Sequence, residues 1–453
     1  MSLSYTWVGA TTPAAVIVKA RLSGDTARLH VSTESDLADP VKSEAVAPEN
    51  GVAELKVDGL KAATRYYYGV EIDGDLDREA LGRFRTHPVL GEPADFTVAA
   101  TSCAGFEPEH PGTGDVTVPA RVSNHPVFSD IRERDPLMLL HMGDIHYYDI
   151  GSGEFVPDHD VDTYRGAFDD VFAQPRQAGL YRDVATQYVW DDHDFGPNNS
   201  DGTAPGRKAA AQVYRERVPH YELSDEVGIW HSWTIGRVLF VALDVRSYRS
   251  PDDDPDGPDK TMLGAAQKAW LKGVLESSDA AFLVLLPVCR WFDSSSNDTW
   301  SSFAEERSQL IDMFDSLGWA GRMCLVVGDL HAVAMDSGGN SPGRVPVFHF
   351  ASMDSRPSVV NNHYDLGPSL PGRGQYGLLR LNDTGAEITV TATGYQGAEK
   401  IKSHSFTVGV SGTGHTCTPE EEMKEKRAKT EATSRPSLWT RLKQTVRGLF
   451  YNS

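Results

Sequence analysis

The sequence predicts an α/β layered core preceded by a small β-sandwich and followed by a helical tail, on three observations. First, the apolar runs FTVAATSCAG, LMLLHMGDIH, QYVWDDHDFG, LFVALDVRS, AFLVLLPVCR and MCLVVGDLHA each end in polar, turn-forming residues. Runs without polar alternation are strands covered on both faces, and helical patterns over 209–218, 265–277 and 305–317 supply the covering layers. Second, residues 1–88 have a different texture. The short β-rich runs VIVKARL, ARLHVST, AELKV and RYYYGVEI are separated by Gly, Asp, Asn and Pro, as in a sandwich. Third, EEEMKEKRAK gives way to SLWTRLKQTVRGLFYNS, which places Leu438, Trp439, Leu442, Val446, Leu449 and Phe450 near one helical face.

These segments divide the 453 residues into a sandwich over 1–88, an α/β core over 89–416 and a charged linker with an amphipathic helix over 417–453. Arg441, Lys443 and Arg447 flank the apolar face of that helix. It is expected to dock on the body, with contact to a membrane surface as the alternative. No apolar run reaches the roughly 18 residues of a spanning helix, and no repeat is visible. With 64 acidic against 43 basic residues the formal charge is −21, which excludes a surface for wrapping nucleic acid. The acidic residues between Asp252 and Asp259 read as a solvated loop. Cys103, Cys289, Cys324 and Cys417 are scattered, so neither a zinc ribbon nor a disulfide framework is expected. The opening MSLSYTW has no basic stretch leading into an apolar one, so no secretory signal is read there.

Four strand ends carry potential metal ligands: Cys103 in TSCAG, Asp144 and Tyr147 in GDIHYYD, Asp192 and His193 in WDDHDFGPNN, Asp329 and His331 in GDLHA. Taken singly, such an Asp is a turn residue and such a Cys a small apolar side chain. In an α/β fold, however, residues just beyond strand C-termini converge on one crevice. GNSPG at 339–343 has the letters of a nucleophile elbow without the strand and helix that motif needs. No HExxH, P-loop or GxGxxG stands in a suitable context.

This set of motifs resembles the metallophosphoesterase superfamily, and within it the PhoD-like alkaline phosphatases and phosphodiesterases, where a Ser-Cys element replaces an Asp-x-His. The resemblance spans roughly residues 95–395 and extends to LDVR ending at Arg246, to Gln267, Trp270 and Leu271, and to Trp300 with Glu306 and Arg307. It implies a metallophosphoesterase-type αββα core behind a fibronectin III-like sandwich. It also implies that Cys103, Asp144, Tyr147 and His331 hold one metal, that Asp144 bridges to a second, and that Asp192, Asp329 and Asn199 complete the second. The metals implied are Fe3+ and Ca2+; the ligand types themselves also admit Mn2+ or Mg2+ at the second position and Zn2+ at the first.

The activity implied is hydrolysis of phosphate monoesters or diesters by metal-activated hydroxide. His193 would stabilise the transition state or protonate the leaving oxygen. Arg246 would orient the phosphate, or else form a structural salt bridge with Asp244. Strand alternation turns His146 away from the metals, and Asp191 and Asp194 are candidates for orienting His193 or the metal shell. Two alternatives stand beside this reading. One is a phosphodiesterase acting on phospholipid headgroups. The other is a non-catalytic surface or interaction protein with a structural metal site, against which the presence of His193 beside every ligand argues. The resemblance further implies a periplasmic or cell-surface location.

Overall fold

Burial in the computed structural model follows the side-chain alternation of the first strands. The structure describes residues 2–105, 121–149, 160–292, 296–358 and 363–410. Strands β1 (Ser2–Gly9), β2 (Val16–Ser23) and β5 (Val52–Val57) form one antiparallel sheet, while β3 (Ala27–Ser32), β4 (Val41–Lys42), β6 (Arg65–Ile72), β7 (Asp75–Leu76) and β8 (Gly82–Arg85) form a second. In β5, Ala53, Leu55 and Val57 point inward and Glu54 and Lys56 outward. They meet Val16, Val18, Leu29, Val31, Tyr68 and Val70 in one core shared by the two sheets.

Strand β1 also has a second allegiance. Tyr5 stacks on Phe172 with ring centroids 3.9 Å apart, and Trp7 packs among Phe168, Phe172, Tyr181 and Tyr188. Tyr5 and Trp7 therefore belong to the core of the main body, while Val8 of the same strand stays in the sandwich core, and the N-terminal β segment packs directly on the body.

The main body has two facing mixed sheets. The six-stranded one runs β11 (Thr186–Val189), β10 (Leu139–Met142), β9 (Asp95–Thr101), β19 (Gln375–Asp383), β20 (Glu387–Gln396), β21 (Glu399–Gly409). The seven-stranded one runs β12 (His231–Ile235), β13 (Val238–Ala242), β14 (Phe282–Val288), β15 (Met323–Val327), β17 (Val347–Phe350), β16 (Ala332–Asp336), β18 (Leu370–Pro371). Strands β9 to β11 are parallel, as are β13, β14, β15 and β17. LLHM, FLVLLPV and MCLVV are buried at every position, because parallel strands are covered on both faces. Phe96 meets Phe240, and Phe282 meets Phe406, across the inter-sheet layer.

Helices α1 (Val127–Glu133), α2 (Val161–Phe172) and α3 (Pro175–Asp183) lie on the six-stranded side, where Phe168 and Tyr181 pack against Tyr188 and His141. The single turn α4 (Asp192–Phe195) and α5 (Arg207–Arg217) follow β11. Helices α6 (Gly264–Ser277) and α7 (Ala304–Ser316) bury Gln267, Leu271 and Leu275, and Glu306, Leu310 and Phe314, each set on one i, i+4, i+8 stripe. The layered α/β architecture is thus present, and three of these helices fall within two residues of the predicted spans. The sequence reading did not resolve α2 and α3, which are separated only by Ala173 and Gln174 with Pro175 at the start of α3. No described helix is long and apolar enough to cross a membrane. The predicted tail helix and Cys417 lie outside the described residues.

Candidate metal centre

Cys103, Asp144 and Asp192 lie just beyond β9, β10 and β11, neighbours in one sheet, and Asp329 lies just beyond β15 of the facing sheet. The sheets approach so closely here that a Cβ on Gly328 would come within 2.7 Å of the Met142 carbonyl oxygen. Gly143, at φ 81°, lies so near that a Cβ there would sit 2.2 Å from that of Asp191. Cys103, Asp144, Asn199, Asp329 and His331 all take positive φ between 51° and 62°. Non-glycine residues avoid this region unless the surroundings enforce it, so backbone strain is gathered where the strand ends converge.

The donors converge as well. Asp144 Oδ2 is 3.4 Å from Cys103 Sγ and 3.1 Å from Tyr147 Oη, and Tyr147 Oη is 3.4 Å from His331 Nε2. His331 Nδ1 bonds the Arg356 carbonyl at 2.7 Å, which fixes the ring so that Nε2 faces the cluster. Cys103, Asp144 and His331 offer one group of ligand atoms lying within 4.8 Å of one another, and Asp144, Asp192 and His193 offer another. Asp144 belongs to both.

The chemistry of this set fits cations. Burial, reinforced by Asp192, Asp191 and Asp194 and opposed by His193, pushes the Asp144 carboxyl well above its usual range. Burial and then Asp144 push the Cys103 thiol and the Tyr147 phenol up in the same way. Asp144 Oδ1 is buried with no hydrogen-bond partner among the described residues. Positive charge at this point would let the thiol, phenol and carboxyl ionise together, because a bound cation inverts the local sign of all three shifts.

The remaining sequence-predicted residues occupy varied positions. Asn199 is exposed; its backbone N–H donates to Asp192 Oδ2 at 2.7 Å while its side-chain oxygen accepts from Asn198. Asp329 falls outside both close groups, and its Oδ2 accepts from Arg290 Nε at 2.8 Å. His193 lies against the Tyr147 ring at 4.3 Å, with Nδ1 2.6 Å from Asp149 Oδ2 and Nε2 3.9 Å from Asp192 Oδ2. Burial lowers its basicity, but Asp192, Asp144 and Asp149 outweigh burial and hold the imidazolium well above its ordinary range.

Asp149, the last residue of GDIHYYD, is therefore the orienter of His193 that the sequence reading missed. Asp194 instead accepts backbone N–H bonds from Asp144 at 2.5 Å, Ile145 at 2.8 Å and Asp191 at 3.1 Å, tying two ligand loops together. His146 is buried edge-on to Tyr148 and Phe168.

Arg246 requires a correction. Its side chain is 0% exposed, with Nε 2.8 Å from Asp191 Oδ1 and both Nη atoms 2.9 Å from the Asp298 carboxylate. Asp298 also holds Arg249 at 2.6 Å. The guanidinium is thus sealed behind the ligand loops and cannot reach a substrate phosphate. Nor is its ion-pair partner Asp244, whose carboxylate accepts instead from Trp190 Nε1 and the N–H groups of Ile229, Arg246 and Ser247. Arg246→Met, which leaves two buried carboxylates short of a counter-charge, is expected to destabilise the fold by about 3–5 kcal/mol. A lower denaturation midpoint at unchanged slope would register that loss.

Comparison with known proteins agrees with this construction. The PhoD-like phosphatase family matches residues 96–341. Alkaline phosphatase D of Bacillus subtilis (strain 168) is 24% identical over 326 residues, which are 61% of this chain. The chain spans about half, 53%, of the length of that relative. The solved structure of PhoD superposes with a TM-score of 0.70 at 18% identity, covering 95% of this chain and 97% of PhoD. Purple acid phosphatase PPD1 from yellow lupin (Lupinus luteus) seeds gives 0.58 at 13% identity, covering 89% of this chain and 74% of that one. The family match takes in Cys103, Asp144, Tyr147, Asp192, His193 and Asp329, which follow the ends of β9, β10, β11 and β15, and the chain belongs to the PhoD-like phosphatase family.

Proposed function

We propose that this protein is a two-metal phosphoric ester hydrolase. The observation that carries the reading is the sharing of Asp144 between two adjoining groups of potential ligands, the second of which includes His193. Cys103, Tyr147, Asp144 and His331 would hold the first metal. Their thiolate, phenolate, carboxylate and imidazole suit Fe3+. Asp144 and Asp192, with Asp329 and Asn199 nearby, present oxygen donors that suit Ca2+, Mn2+ or Mg2+. Metals held there supply Lewis acidity toward a phosphoryl oxygen and activate water for in-line attack.

The protein's own residues then complete the reaction. Asp149 fixes the His193 ring through Nδ1, which leaves Nε2 toward the ligand cluster, and the Asp149 carboxylate favours the protonated ring. His193 can therefore give its Nε2 proton to the leaving ester oxygen. The N-terminal sheets, read as a fibronectin III-like support, brace the catalytic body through Tyr5 and Trp7.

The test is parallel hydrolysis of a chromogenic phosphate monoester and diester at alkaline pH, before and after chelation. Turnover of at least one ester, abolished by chelation and restored by iron with calcium, is the expected result. Absence of turnover of both in metal-replete protein would overturn the reading and favour a structural metal site.

A further inference from the structure

Consecutive side chains of a strand point to opposite faces, so a serine and the cysteine after it ordinarily do not meet. Just beyond β9 they do. The backbone turns at Cys103, where φ is 62°, and Ser102 Oγ comes within 3.1 Å of Cys103 Sγ. Both residues are 0% exposed. Three backbone hydrogen bonds pin the dipeptide: Cys103 N–H donates to the Gly143 carbonyl at 3.1 Å, and the Ser102 and Cys103 carbonyls accept from the N–H groups of Met353 and Asp354, each at 3.0 Å. The hydroxyl and the sulfur are therefore held against one another rather than brushing past.

The direction of their contact follows from counting donors. The backbone N–H of Asp329, from the facing sheet, donates to Ser102 Oγ at 3.2 Å. Gly328 permits that approach, since a Cβ on it would lie 2.8 Å from the same oxygen. The Cys103 thiol has an acceptor of its own in Asp144 Oδ2, 3.4 Å away. A hydroxyl carries one hydrogen and two lone pairs. With the Asp329 N–H on a lone pair, the Ser102 hydrogen is left for Cys103 Sγ, and a thiolate sulfur has no proton to give in the other direction. One buried hydroxyl thus joins the sulfur of the first metal position to the turn that carries Asp329 of the second.

Resting on the two-metal reading, we propose that Ser102 is a positioning residue that donates a hydrogen bond to the metal-binding thiolate of Cys103 while its oxygen holds the Asp329 turn. A hydrogen bond to a thiolate is charge-assisted, and it draws electron density from sulfur that would otherwise pass to the metal. Weaker donation leaves greater Lewis acidity at that position and, for iron, a higher reduction potential. Ser102 touches neither metal nor substrate and acts through the two residues it holds.

The experiment compares wild type, Ser102→Ala and Ser102→Thr, each loaded at saturating Fe3+ and with iron content measured. Readouts are the thiolate-to-iron charge-transfer band, identified by resonance Raman through its Fe–S stretch and so separated from the phenolate modes of Tyr147, the reduction potential of the iron, and Ca2+ affinity by calorimetry. For Ser102→Ala we expect the thiolate band to move to longer wavelength and the potential to fall, because an unshielded sulfur donates more strongly. Ca2+ affinity should fall about 10- to 100-fold, because the Asp329 turn loses its acceptor. Ser102→Thr keeps the hydroxyl and should return band and potential toward wild type. An unmoved band and potential in Ser102→Ala, with Ca2+ binding weakened, would overturn the proposal and leave Ser102 as a brace for the Asp329 turn alone. Absence of any Fe–S stretch in iron-loaded wild type would instead remove Cys103 from the ligands, so that the metal assignment falls first and the proposal with it.

Discussion

Asp144→Ala is expected to lower phosphoesterase turnover on the order of 10³-fold or more, with loss of metal from both positions rather than one. The reason is geometric: among the described residues Asp144 is the one common to both ligand groups, so its truncation removes a donor from each. Metal analysis and kinetics on the same preparation check this. Loss of a single metal with activity retained would show that the two groups do not share Asp144 in the working protein.

The effect on stability should have the opposite sign in chelated protein. Burial and neighbouring carboxylates raise the folded-state pKa of Asp144 well above its ordinary value. A group so shifted stabilises the fold at low pH, and that contribution is lost as pH rises through the folded pKa. Metal-free wild type should therefore lose stability from the usual carboxylate range upward, and Asp144→Asn should be less sensitive to pH there. Metal should reverse the order, stabilising wild type far more than the variant, because a cation bound only by the folded state contributes by mass action. Thermal melts with and without chelator across that pH range read both effects.

Much of this centre was legible in the sequence because strand ends announce themselves. GDIHYYD, WDDHDFGPNN and GDLHA each follow an apolar run, and the parallel topology brings such ends to one edge. Local signals of this kind also gave α5, α6 and α7, whose apolar stripes repeat with helical period. What escaped was non-local. Asp149 meets His193 across 44 residues, and Arg246 meets Asp298 across 52, and no periodicity encodes such pairs. Arg246 was misplaced for a related reason: LDVR shows an arginine at a strand end, but only the fold reveals that its guanidinium turns back into the body. The second acid of GDIHYYD was a usable signal for Asp149, since a histidine poised for proton transfer needs an acceptor at its other nitrogen.

His193→Ala should lower kcat by about 10²- to 10⁴-fold, the range for removing a positioned general acid, with bound metal retained. Asp149→Asn should give a smaller loss, about 10- to 100-fold, because an amide can still accept from Nδ1–H but carries no charge. The double variant should be no slower than His193→Ala alone, since Asp149 acts only through the ring it holds. The pH profile separates orientation from mere structural support. Asp149 is one of the carboxylates that keep the imidazolium protonated, so removing its charge lowers the His193 pKa. If protonated His193 is the acid, the alkaline limb of the kcat profile must then move to lower pH in Asp149→Asn. An unmoved limb with a uniformly lower rate would mean that Asp149 only braces the loop, and an additive double variant would mean that it acts on something other than His193.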